Sequence, residues 1–237
     1  MNFSMKEIGE WHNSEVGTLC FNDLSARINN LINKDLDKNS IFHGPEKIVQ
    51  NIINSIEGRS NFFLSSEERS DISSDIEFLP FADNSIDYFI MIHTLDTSED
   101  PHSAFREIDR VLKDDGKLLI IFFNKLSFIA LLSHFLYKNF YWKRNFISTL
   151  RLKDWLSLFS YKININESIN KIPPIYTKLI INKLMFLERN FFKKINFFGN
   201  VNLIFAEKET YKYINLRNIR KRDNIILGRF VRPIINN

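Results

Sequence analysis

Five histidines, at positions 12, 43, 93, 102 and 134, are the side chains best suited to proton transfer near neutral pH. None pairs with another at helical ligand spacing, and the single cysteine, Cys20, excludes a thiolate cluster, so no metal site is expected. His93 closes the apolar run SIDYFIMIH (85–93) and is the one candidate general base. Taken alone it reads equally well as a hydrogen-bonded residue at a strand end. Asp75 in DIEFL (75–79) could bind a ligand or cap a turn. Glu67 and Glu68, which follow NFFLSS (61–66), could bind hydroxyls or form a solvated pair beside Arg69. Gly44 is the sole glycine of FHGPEK (42–47), a turn where a backbone could approach a ligand. The sequence has no G-x-S-x-G elbow, no Cys–His signature and no phosphate-binding G-x-x-x-x-G-K-[ST], which leaves nucleophilic hydrolysis and nucleotide hydrolysis without support.

The elements that must position these residues follow from periodicity. Residues 1–39 read as helical, with Trp11, Leu19, Leu24, Ile28, Leu31 and Ile32 set between polar and charged positions and the last four at three- and four-residue steps. A short strand over 39–43 is stopped by Gly44-Pro45, and a helix follows over 46–56. Residues 61–66 read as a second strand and 75–79 as a third, closed by Pro80. The run 85–93 is an apolar strand of the kind buried on both faces of a parallel sheet. HSAFREIDRVLKDDG (102–116) is an amphipathic helix stopped by Gly116, entered through Asp100 as N-cap and Pro101 as first helical residue. KLLIIFF (117–123) returns as a strand, completing a βαβ unit. Helices are expected over 126–136, 152–159 and about 177–193, with strands over 161–168 and around 201–206. The fold class is therefore α/β, a Rossmann-like doubly wound and mostly parallel sheet with helices on both faces and a late antiparallel strand.

Residues 75–124 carry more than periodicity. Asp75, Leu79-Pro80-Phe81, Asp83, Ser85, Asp87, His93, Leu95, Asp100-Pro101, Arg106-Glu107, Arg110-Val111-Leu112-Lys113, Gly116 and Asn124 stand in one register. That pattern resembles the class I S-adenosylmethionine-dependent methyltransferases of the small type 11 group. The Asn124-Lys125-Leu126-Ser127-Phe128 segment is similar to that of short enterobacterial-type members, and Leu152 to Leu156 extends the likeness to about residue 160. The resemblance implies S-adenosyl-L-methionine as cofactor, with Asp75 accepting from the adenine amino group and the Ile76 amide donating to the ring. Leu79, Pro80 and Phe81 would wall the base. Gly44 would lie beside the methionine part, Glu67 or Glu68 would take the ribose hydroxyls, and His93 would stand near the methyl acceptor as a base. The implied activity is methyl transfer to an acceptor, small or macromolecular, that the sequence does not identify. The alternative is a catalytically inactive descendant serving as a binding module, because Gly44 stands where such enzymes carry several glycines and Pro45 removes a backbone donor.

Composition bounds the rest. Ile, Asn, Phe and Lys number 33, 27, 23 and 19, an excess that A/T-rich codons favour, so the basic balance of +4 is weak grounds for an anionic partner. From Glu209 onward seven cations, five of them Arg, oppose two acids. Such a tail could contact RNA or simply be a solvated extension. The division expected is a methyltransferase-like domain over 1–208, with an N-terminal helical segment at 1–39 and a cofactor-binding core at 40–160, then a basic tail at 209–237. The run 118–136 is long enough to span a bilayer but carries Asn124, Lys125, Ser127, Ser133 and His134, so no membrane insertion is expected. Without an apolar leader or a second cysteine, the expected location is cytoplasmic.

Overall fold

The computed structural model describes residues 4–13, 15–32, 38–56, 60–66, 70–127, 147–169 and 199–209. Two helices, α1 (Met5–His12) and α2 (Glu15–Ile32), precede β1 (Ser40–His43), α3 (Glu46–Ile53), β2 (Asn61–Ser65), β3 (Ile72–Ser73) and β4 (Ile86–Ile92). A single turn, α4 (Thr94–Thr97), leads to α5 (Pro101–Val111) and β5 (Leu112–Phe123), and then to α6 (Thr149–Leu158), β6 (Tyr161–Ile169) and β7 (Val201–Lys208).

The seven strands form one sheet in the order β3-β2-β1-β4-β5-β7-β6. The first five are parallel, and β7 runs antiparallel to both β5 and β6. Strand order reverses between β1 and β4, and open α/β sheets take their ligands beyond the carboxyl ends of strands at such a switch. The doubly wound fold expected from the sequence is thus observed.

Period-two alternation divides the core. Tyr88, Ile90 and Ile92 of β4 and Leu119, Ile121 and Phe123 of β5 pack toward α1, α2 and α3. Phe89 and Met91, with Leu118, Ile120 and Phe122, pack toward α5 and α6. Burial on both faces explains why β4 and β5 read as unbroken apolar runs. Each fully buried Phe or Ile contributes roughly 1.5–3 kcal/mol of transfer free energy.

Two sequence expectations are corrected. The third strand lies at Ile72–Ser73, not at 75–79; the Asp75 carboxylate accepts from the Glu77 amide and the Asp75 carbonyl from the Phe78 amide, which bends 75–79 into a turn. The helix expected over 102–116 ends at Val111, because Leu112 already pairs with Ile86 in the sheet. Residues 113–116 form a bulge before Lys117 pairs with Tyr88, so Gly116 serves the bulge rather than the helix end. The helical segment expected over 1–39 is present as α1 and α2. Asp100 does cap α5, accepting from the His102 and Ser103 amides, with Pro101 as the first helical residue. The helix expected over 177–193, most of that over 126–136, and the basic tail beyond Glu209 lie outside the described residues. Among the described residues no helix is long and apolar enough to cross a membrane.

Candidate functional site at the carboxyl ends of β1 and β4

At the end of β1 the backbone turns at Gly44, flush against β4. A Cβ on Gly44 would sit 2.6 Å from the Ile92 carbonyl oxygen, so only glycine lets the two strand ends close this tightly. Across the seam the Thr94 hydroxyl donates to the His43 carbonyl (3.2 Å). A hydroxyl has one proton, so at 2.9 Å it accepts from His43 Nδ1–H, which fixes that tautomer. Burial pushes the His43 ring down to about 4, against a smaller upward pull from the Asp75 carboxylate.

His93 follows β4 in the left-handed region, at φ 57° and ψ 17°, an uncommon conformation for a non-glycine residue. Its amide donates to the Ile121 carbonyl at 2.8 Å, holding it in place. The ring is fully buried on Phe123, with 4.2 Å between centroids. Nδ1 lies 2.8 Å from Asp96 Oδ2, which also accepts from the Phe123 amide at 2.9 Å. Nε2 faces Nε2 of His12 at 3.2 Å. Asp96, His93 and His12 therefore form an unbroken chain of titratable groups linking the β4 end to α1. Burial pushes the His93 ring down to about 3, holds His12 well below its usual range and drives Asp96 well above that of a carboxylate.

The sequence places His12 there through local packing. Ser4 and Glu7 close a capping box that starts α1. A Cβ on Gly17 would meet the Trp11 carbonyl oxygen at 2.2 Å and His12 Cα at 2.6 Å, so a glycine is required where α2 turns against the end of α1. The Thr18 hydroxyl donates to the His12 carbonyl, and Trp11 stands edge-on to Phe123. The α1 helix thus roofs the seam.

A second part of the same edge is the turn after β3. Asp75 is exposed, and it lies close enough to His43 for the two to interact electrostatically. Ile76 and Leu79 are buried in the core beside Leu95; Pro80 is exposed and Phe81 packs half-buried against the same cluster. Arg110 of α5 ties the turn down, donating to the Leu79 and Phe81 carbonyls and to Asp83 and Glu107. Glu107 accepts from the Leu79 amide. Sequence reasoning placed Gly44, Asp75, Ile76, Leu79, Pro80, Phe81 and His93 along one edge; Glu67 and Glu68 lie outside the described residues. It missed His12, His43, Thr94 and Asp96. Asp96 had a local signal, the three-residue spacing from His93, whereas His12 is 81 positions away and carries none.

These residues can be tested against the cofactor the family implies. Asp75 offers an outward carboxylate at the turn, with Ile76 and Leu79 as apolar backing. In the seam, Asp96 Oδ1 is buried without a hydrogen-bond partner, a polar valence left at the end of β4. The donor and acceptor types fit S-adenosylmethionine, and among the described residues no group of acids, histidines and cysteines is placed to hold a metal.

Comparison with known proteins agrees with this fold. Residues 55–120 match the family described as a methyltransferase domain, a match that begins after α3 and leaves the Gly44 turn outside it. The uncharacterized protein YafS of Escherichia coli (strain K12) is 42% identical over 94 residues, which is 39% of this chain and 39% of that protein. The matched part thus spans well under half of that relative. Among solved structures, a SAM-dependent methyltransferase of Thermotoga maritima superposes with a TM-score of 0.60 at 17% identity, covering 86% of this chain and 96% of that one. A SAM-dependent methyltransferase of Aquifex aeolicus gives 0.56 at 12% identity, over 87% and 99%. The chain has the Rossmann-like fold seen in class I methyltransferases, and its residues 55–120 are similar to the methyltransferase domain family.

Proposed function

We propose that this protein is an S-adenosylmethionine-dependent methyltransferase acting at the carboxyl edge of β1 and β4. The observation that carries the reading is the strand-order switch between β1 and β4, occupied by the buried pair His93 and Asp96, both within the matched residues 55–120. Asp75 would accept from the adenine amino group and the Ile76 amide would donate to the ring, while Gly44 and the seam would meet the methionine part. The cofactor supplies an activated methyl group on a sulfonium, so the protein's task is alignment and, for an acceptor that carries a proton, its removal. His93 would serve in that removal, held in orientation by Asp96.

Calorimetric titration with S-adenosylmethionine and S-adenosylhomocysteine tests this directly. Micromolar binding, about −8 kcal/mol, weakened tenfold or more in Asp75→Ala, is the expected result. No heat and no thermal shift at millimolar ligand would mean that the fold persists without cofactor binding.

A further inference from the structure

His93 has one ring nitrogen available for chemistry. Nδ1 is taken by Asp96, and Nε2 is covered by the His12 ring at 3.2 Å. His12 belongs to a separate helix, joined to the body by the Gly17 turn and by Trp11 on Phe123. We propose that His12 caps His93 in the resting protein, and that the Asp96–His93 pair becomes the reaction's base when an acceptor bearing an N–H or O–H takes the place of the His12 ring. This deepens the methyl-transfer reading and rests on it.

The hydrogen-bond directions show why exchange is feasible. If Asp96 is ionised, its Oδ2 accepts from Phe123 N–H and from His93 Nδ1–H, so Nε2 of His93 carries a lone pair and requires a donor. His12 Nε2–H is that donor when α1 is docked. If the carboxyl instead holds the proton, the chain reverses: Asp96 donates to His93 Nδ1, and His93 Nε2–H donates to His12. Every member is then neutral, the state that full burial favours and that matches the raised Asp96 carboxyl. Withdrawal of α1 admits water; the His93 Nε2 proton passes to solvent as the Asp96 proton moves to His93 Nδ1, which leaves Asp96 ionised and the His93 lone pair facing the vacated position. An acceptor N–H or O–H donates there as His12 did.

The step then balances. The acceptor nitrogen or oxygen forms its bond to the methyl carbon as the carbon–sulfur bond breaks and its electron pair stays on sulfur. The acceptor's proton passes to His93 Nε2, and the Nδ1 proton moves to Asp96 Oδ2. The pair ends neutral, as in the resting chain. A thioether or tertiary amine has no proton to lose and gains nothing from this device, so the substrate class is N–H or O–H.

The first test needs no acceptor. Carbethoxylation of His93 by diethyl pyrocarbonate, mapped by peptide mass spectrometry on the full chain, is expected to be at least tenfold faster in His12→Ala than in wild type. His12→Gln, which retains a donor, is expected to stay near the wild-type rate and guards against a merely misfolded variant. Equal rates in wild type and His12→Ala, or equal acceleration by His12→Gln, would overturn the cap. The second test follows label transfer from S-adenosylmethionine to imidazoles and phenols against trialkylamines and thioethers. Transfer confined to the N–H and O–H compounds is expected; comparable transfer to thioethers would overturn the assignment of the base. Failure of S-adenosylhomocysteine to bind would instead sink the methyl-transfer reading, and the histidine mapping distinguishes the two failures.

Discussion

The turn at 75–83 and the seam between β1 and β4 lie on one edge of one sheet but are built on opposite principles. The turn is wet, and its shape is held by charge: Arg110 spans two carbonyls and two carboxylates, with its side chain about a third exposed. The seam is dry, and its shape is held by directional hydrogen bonds among neutral groups, with His93 and Asp96 fully shielded. Water and salt weaken the first kind of structure gradually. The second kind resists until one member is removed, after which a buried polar group loses its partner at once. The turn is therefore suited to hold a ligand that arrives from solvent. The seam must be opened before anything reaches it.

Acid should separate the two regions most widely. The folded-state His43 ring is pushed down to about 4 from 6.5, so its contribution to stability is present above 6.5 and is lost as pH falls from 6.5 toward 4. That loss is about 3 kcal/mol by linkage. His93, pushed down to about 3, adds a parallel loss that begins at the same 6.5 and extends to lower pH. Glu107 of the turn is held below its ordinary 4.5 by its bond to Arg110, so its smaller contribution is lost only below that value. Urea unfolding across pH 7 to 4 should show the seam's loss first, and His43→Gln should flatten that limb. Asp96, held protonated in the fold above its ordinary range, works in the opposite sense and gains stability as pH falls, so the limb is read as the difference between wild type and His43→Gln; no difference down to pH 4.5 would refute the dry seam.

Asp96→Ala leaves the Phe123 amide without its acceptor and a His93 nitrogen without its partner, both buried, an expected cost of about 2–3 kcal/mol in chemical denaturation. Gly17→Ala forces a Cβ into the backbone of Trp11 and His12, and should cost about 1–3 kcal/mol while lifting α1 and speeding His93 modification. Arg110→Ala should cost no more than about 1 kcal/mol, since its ion pairs are screened. Faster amide exchange confined to residues 79–83 would show that it shapes the turn alone. Equal effects of Arg110→Ala and Asp96→Ala would erase the contrast between the regions.

The fold was legible because β4 and β5 are buried on both faces, which leaves continuous apolar runs, and because Asp100-Pro101 marks the start of α5 in local chemistry. The third strand was misplaced because two residues of pairing, Ile72 and Ser73, carry no periodicity, whereas the apolar 76 and 79 imitate a strand while packing from a turn. Within the site, Asp75 and His93 could be found from one continuous register. His12 could not, since its contact with His93 depends on how two helices fold back over the sheet. Glycine at 17, the residue that permits that return, looks in sequence like any helix-weakening position.

The most direct measurement is photolabelling of the full chain with methyl-labelled S-adenosylmethionine, followed by peptide mapping. Label within residues 75–81 or 42–45, competed by S-adenosylhomocysteine and reduced in Asp75→Ala, is the result expected. Absence of competed label at saturating ligand, or competed label confined to peptides remote from this edge, would contradict the assignment of the site.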